Sequence, residues 1–435
     1  MKHRLLILSL ILMMGCSAEP SLAPTPSPAP TLTSSPIPPT ATFTPSPIPP
    51  TATLTPSLTP TPTPIPLPDP ASATGEVTIW YAYTSAATGE YRAIADLIFL
   101  AGKKYPNLVI KPVQVPFGEI FSKFRSEVST GKGPDLLLAP NDLLGSMARD
   151  KLLLQLDPYV QGRLGDVSPL GIQGMQVDGK LYGIPESSKV VALYYKKSLV
   201  GNPPATTDEL LNLVREGNLL VNFLWAYHLF GWANAFGGQL FDENNRCVAH
   251  LGGWDEALNY LLELKEAGAI FEADNGVAEN LFLRGGAAMI VNGSWVLKDY
   301  QKIFGENLGV VSMPAGPQGS AGPFVGIDGF YVNRFSQNQE ATISLALFLT
   351  NQESEQVFAN RGGHVPVHTG VTLNDPLLLA FSQAVDSGIV RPQSRELDNY
   401  WEPFNEMFTN VLRNGANPQD ALETACSKMN QANGK

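Results

Sequence analysis

Hydrophobic and polar positions change rhythm several times along this chain, and the most informative region begins at residue 76. EVTIWYAYTS (76–85) is rich in β-branched and aromatic residues and predicts a strand. Residues 91–104 have helical spacing, and LVIKPVQVP (108–116) predicts a second strand. FGEIFSKFRSEVSTGKG (117–133) places Phe117, Phe121 and Phe124 at the spacing of one helix face, with Gly131 as its stop. PDLLLAP (134–140) is short and almost wholly apolar, as a strand covered on both faces of a parallel sheet should be. Strand–helix–strand–helix–strand predicts an α/β fold with right-handed crossovers.

Further on, VDGKLYGIP (177–185) predicts a hairpin around Asp178-Gly179, and VVALYYKK (190–197) another strand. Residues 208–216 and 254–267 read as helices, with the aromatic-rich stretch 222–236 between them. In GGAAMIVNGSW (285–295), 287–291 suits a buried strand and Asn292-Gly293 a turn, which leaves Trp295 at the rim of a sheet. GPFVGIDGFYVN (322–333) reads as two strand-like pieces broken by Asp328-Gly329, and helices follow at 340–350, 353–360 and from Asp420 onward. An α/β half, a mixed half and a helical return predict two lobes joined by more than one crossing. The expected division is 76–187 with 330–372, and 188–329 with 373–435.

The N-terminal region has a different character. MKHRLLILSLILMMGC has a cationic start and an apolar run from Leu5 to Met14, too short to span a bilayer, so residues 1–15 read as an export signal. Gly15-Cys16 resembles a lipobox, in which cleavage leaves Cys16 as a lipid-bearing N-terminus; an ordinary secretory signal is the alternative. From Ser17 to Gly75 fall nineteen of the 37 prolines, among Thr, Ser and Ala, and PIPPTATFTPS (36–46) is repeated as PIPPTATLTPS (47–57). Such a segment stays extended, as a stalk or a slack tether, and reaches well over roughly 100 Å at about 3.1 Å per residue. The expected linker is 16–75.

Composition narrows the chemistry. The 435 residues are too many for one compact domain, and 44% apolar residues suffice for full cores. A net charge of −11 without Lys/Arg patches argues against nucleic acid as a partner. GMQVDGK (174–180) has phosphate-loop spacing, but Leu181 stands where a Ser or Thr is needed. No HExxH, Cys/His cluster or G-x-S-x-G elbow occurs, so no metal, cofactor or catalytic residue is expected. Cys247 and Cys426 stay open as a pair or as free thiols. The distinctive feature is aromatic: Tyr81, Tyr83, Trp225, Tyr227, Trp232, Trp295 and Trp401 mostly lie at strand ends or in Gly- and Pro-flanked connections. Sugar rings stack their C–H faces on such surfaces, and their hydroxyls need polar partners around the edge.

The motifs VTIWYAY, GKGPDLLLAPND, DGKLYGIPESSKVVALYYKKSLVGNPPATTDEL, FLRGGAAMIVNGSW, GPFVGIDGFYVN and DNYWEPF occur in this order across 76–435. In this combination the chain resembles the extracellular solute-binding proteins of ABC sugar importers, and is most similar to the maltose/maltodextrin-binding type. The resemblance implies a two-lobed periplasmic-binding-protein-like fold (type II) with the ligand cleft between the lobes. It implies a monomer, lipid-anchored on the extracellular face of the cytoplasmic membrane, that passes an oligosaccharide to membrane subunits. It further implies that Trp295 and Trp401 stack on sugar, that Tyr227 stacks or hydrogen-bonds beside them, and that Asp142 accepts from hydroxyls. Trp225 and Tyr83 join the candidates, as does Lys189, which stands where a glutamate is expected. Ala139, Leu143 and Thr84-Ser85 also depart from the maltose pattern, so the first-lobe half of the site is rewritten. A secreted carbohydrate-active enzyme, or the same fold with a non-sugar cargo, are the competing readings.

Overall fold

The computed structural model describes residues 63–83 and 88–435. The signal segment, Cys16, most of the Pro-rich stretch and Thr84-Ser85 lie outside the described residues. In chain order the first strands are β1 (Gly75–Tyr81), β2 (Leu108–Gln114), β3 (Leu136–Pro140), β4 (Gln176–Val177), β5 (Lys180–Leu181), β6 (Ile184–Lys189) and β7 (Val191–Lys196). They are followed by β8 (Leu220–Phe223), β9 (Ile270–Glu272), β10 (Met289–Gly293), β11 (Leu308–Val311), β12 (Phe324–Val332), β13 (Val365–Pro366) and β14 (Ile389–Val390). One sheet has the order β13-β6-β12-β3-β1-β2, with β14 beside β12, and a second has the order β11-β7-β10-β8-β9.

The α/β expectation holds. β1 pairs in parallel with β2 and β3, connected by the helices Gly89–Lys104 and Phe117–Val128. Ile94, Leu97 and Ala101 on the first helix and Ile120, Phe124 and Val128 on the second are the buried faces. Phe117, expected on that face, is 49% exposed. β4 and β5 form the expected hairpin, with φ of 51° at Asp178 and 73° at Gly179, the left-handed pair that a two-residue turn of this kind requires.

Two expectations need correction. Asn292-Gly293 is no turn: both residues belong to β10, and Gly293 pairs with Val191 of β7. GPFVGIDGFYVN is one strand rather than two, since β12 runs unbroken and only its register against β6 shifts between Asp328 and Gly329. A bulge at that point absorbs the extra residue and keeps the ladder intact.

In the second sheet the period of two is visible on both faces. Val191, Leu193 and Tyr195 of β7 enter one apolar core, while Ala192 and Tyr194 enter the other, which continues to the first sheet. The second core also holds the Cys247–Cys426 disulfide, which ties the chain ahead of helix Trp254–Glu266 to the C-terminal helix Pro418–Ala432. The end of the Pro-rich stretch is already docked on the folded body. The Ile65 N–H donates to the Pro158 carbonyl at 2.7 Å, and Ser344 Oγ donates to the Pro68 carbonyl at 3.1 Å.

The chain passes from the first sheet to the second within one extended run, β6 through buried Val190 into β7. At this junction lies a buried ionic cluster. Lys189 Nζ is 2.6 Å from Glu90 and 3.5 Å from Asp328. His364 Nε2 is 2.9 Å from Glu90, and its Nδ1 is 2.9 Å from Glu186. Burial raises the Glu90 carboxyl, but Lys189 and His364 outweigh it and hold the group down to about 2. Burial lowers His364, yet Glu186 more than compensates and its pKa rises to about 9.

Two outcomes follow from these features. Replacing Cys247 and Cys426 by Ser removes a cross-link over 179 residues and should cost about 2–5 kcal/mol in a denaturant titration. The His364 contribution is fully present below the unfolded value of about 6.5 and is lost as pH rises through about 9. Stability should therefore fall across that window by an amount on the order of 3 kcal/mol from this group. His364→Gln should flatten the slope between these limits, as read by chemical denaturation at each pH.

Candidate functional site

β3 ends at Pro140, and the next turn presents Asp142, half-buried, at the carboxyl end of the first sheet. Its Oδ1 lies 2.5 Å from Arg391 Nη1. Arg391 follows β14, is 2% exposed, and also donates to Asn141 Oδ1. Asn141 in turn accepts from the backbone N–H of Ile327 at 3.0 Å, which fixes the pair against β12. The Arg391 guanidinium sits 5.8 Å from the Trp401 ring. A planar cation over an indole edge of the site is a donor fork with a stacking partner.

Trp401 opens the helix Trp401–Leu412, half-buried, with Phe324 at 6.1 Å and Tyr400 at 5.1 Å between ring centres. Tyr227 lies on helix Ala226–Ala235, and its hydroxyl donates to the carbonyls of Phe324 at 3.2 Å and Lys189 at 3.3 Å. Burial, opposed by the nearby Arg391, pushes this hydroxyl far above its ordinary pKa, so it remains a donor. The Tyr227 ring stands 6.1 Å from that of Trp295.

Trp295 is half-buried in the short turn Ser294–Val296, directly after β10. Its ring folds back over Gly293, where any Cβ would overlap it. Gly293 is thus required by close approach, not by a turn. On the other side the His228 ring meets Trp295 edge-on at 6.0 Å. Burial drives the His228 pKa down to about 3, so a neutral imidazole backs the indole.

Tyr83 and Lys189 sit beside this wall. Both are buried, Lys189 within the ionic cluster and Tyr83 with its hydroxyl 3.5 Å from Asp328 Oδ2. Burial raises Asp328, Lys189 and His364 pull it back, and the net value is about 6. Its Oδ1 is buried with no hydrogen-bond partner.

The structure therefore brings Asp142, Trp401, Tyr227 and Trp295 together and sets Tyr83 and Lys189 at one side. Trp225 stands apart: it is 43% exposed, and its indole N–H donates to the Ala273 carbonyl at 3.1 Å. Arg391 was missed from the sequence, where it is a lone cation between a short apolar run and Pro392. Asp328 was read only as part of a break in a strand. Among the described residues no group of three or more His, Cys, Asp or Glu side chains is placed to hold a metal. What remains is a wall of indole and phenol faces edged by a guanidinium and a carboxylate.

Comparisons with known proteins agree on the family. The family described as bacterial extracellular solute-binding protein matches residues 101–379. A galactooligosaccharide-binding protein of Bacillus subtilis is 27% identical over 75% of this chain and 83% of its own length. A maltotriose-binding protein of Pyrococcus abyssi is 26% identical over 78% of each chain. The GacH receptor of Streptomyces glaucescens, solved unliganded and with acarbose, superposes with a TM-score of 0.77 at 25% identity, over 82% of this chain and 98% of that one. Two sheets joined by the extended run Ile184–Lys196, with an aromatic wall at their junction, form a two-lobed periplasmic-binding-protein-like fold, and the chain belongs to the bacterial extracellular solute-binding proteins.

Proposed function

We propose that the protein captures an oligosaccharide, of maltodextrin-like size and shape, between its lobes and delivers it to the membrane subunits of an ABC importer. The observation that carries this reading is the wall of Trp295, Tyr227 and Trp401, edged by the Arg391–Asp142 pair. Stacking faces favour a ring, and the charged edge favours its hydroxyls. Relatives named for galactooligosaccharide and maltotriose binding support the substrate class. The relatives are binding proteins, and we assign no catalytic residue. We propose the lobes as 76–187 with 330–372 and 188–329 with 373–435. Cys16 carries the lipid and the Pro/Thr-rich segment is the tether, so the monomeric receptor works on the extracellular face of the membrane.

Trp295→Ala and Trp401→Ala test the site. Both side chains are half-buried, so circular dichroism and melting temperature should change little. Affinity for the bound oligosaccharide should fall by roughly ten- to hundred-fold, as titrated by intrinsic fluorescence or calorimetry. Trp254 is 1% exposed, and Trp254→Ala should instead cost roughly 3–5 kcal/mol of stability. Unfolding by Trp295→Ala, or unchanged binding, would refute the stacking role. Anchoring has its own test: Cys16→Ala should release the protein from the membrane fraction or leave it unprocessed, and normal cleavage with membrane retention would rule out the lipid.

A further inference from the structure

A cavity of about 320 Å³ opens between the start of helix Gly89–Lys104, helix Leu297–Phe304 and residues 360–361. Its lining includes Gly89, Arg92, Lys298, Asp299, Lys302 and Arg361. Four cations against one carboxylate is an unusual concentration in a chain of net charge −11. Lys298 is paired with Asp375 at 2.7 Å and Arg361 with Asp96 at 2.6 Å. Arg92 and Lys302 are exposed, and among the described residues neither joins an ion pair. Both act on Asp299 only through space, and Asp299 already accepts the N–H of Gly89 at the start of helix Gly89–Lys104. Counting Asp299, Asp375 and Asp96 against the four cations, one positive charge is left over at the mouth.

The placement relates this cavity to the candidate site. Lys298 lies three residues beyond Trp295, on helix Leu297–Phe304, about 5 Å along a helix axis. Gly89 precedes Glu90 of the ionic cluster. The two elements meet closely, since a Cβ at Gly89 would lie 2.9 Å from Lys298 Cβ and would collide with the Arg361 carbonyl. The cavity thus adjoins the helix that directly follows Trp295. The volume falls at the lower edge of small-molecule sites, about 300–1,000 Å³. Uncharged hydroxyls gain little from surplus cations, whereas an anionic group gains charge-assisted hydrogen bonds from Arg and Lys.

We infer that this cavity is an anion-binding subsite, taking a carboxylate, sulfate or phosphate group that is either carried by an acidic saccharide lying along Trp295 or supplied as a free ion. The first source rests on the oligosaccharide reading above; the second does not. Calorimetric titration at fixed ionic strength, with inorganic phosphate, trigalacturonate and maltotriose as separate probes, tests it. Phosphate or trigalacturonate, or both, should saturate the wild-type protein, and the affinity should fall as NaCl is raised. Arg92→Gln combined with Lys302→Gln alters two exposed side chains, so its melting temperature should match the wild type while the anion affinity drops at least tenfold. Trigalacturonate binding without phosphate binding identifies the saccharide as the source, and phosphate alone identifies a free ion. The inference is overturned if neither anion saturates the wild type, or if the double variant binds as tightly. Maltotriose bound with no anion bound refutes only the subsite; phosphate bound with no saccharide bound refutes only the oligosaccharide reading.

Discussion

One extended run, Ile184 to Lys196, has to serve two sheets, and most of what is distinctive here follows from that. Its first half pairs with β12 and β13, its second half with β10 and β11. Val190 between them is buried, so the polar groups gathered at the junction must be satisfied inside the protein. Lys189, Glu90, Glu186, His364 and Asp328 do so for one another, with only Asp328 Oδ1 left over among their carboxylate oxygens. A lone charge in this position would be prohibitive, and a group of alternating sign is the arrangement that low dielectric tolerates.

The aromatic wall hangs from the same crossing. Tyr227 belongs to a helix that packs on the second sheet, yet its hydroxyl donates to carbonyls of Lys189 and Phe324, at the end of β6 and the start of β12. Asp142 and Arg391 are fixed to β3 and β12, so two backbone carbonyls tie Tyr227 to the strands that hold the charged pair.

Lys189, placed where a glutamate is expected, is no free ligand donor; it is held by Glu90 and Asp328 and is nearly inaccessible. Asp142 keeps its place but is already engaged by Arg391. The cations that remain available, Arg92 and Lys302, lie past Trp295 instead.

Local pattern alone determined the alternation of strands and helices, the proline-rich composition ahead of the fold, and the position of Trp295 at the end of a strand. These are short-range properties, since a period of 2 or 3.6 and a run of prolines are visible within a dozen residues. Tertiary structure decided the rest. Asn292-Gly293 has turn chemistry but continues β10, because β7 offers partners and the Trp295 ring needs the space over Gly293. Asp328-Gly329 runs on as one strand, opposite a bulge at Glu186 of β6, because β3 and β6 flank it on both sides. Trp225 looked like its neighbour Tyr227, yet its backbone position sends it to Ala273. Arg391 found Asp142, and Cys247 found Cys426, across separations far beyond any repeat in the chain. Such pairings depend on which strand ends the two sheets bring together, and no local hydrophobic rhythm carries that information.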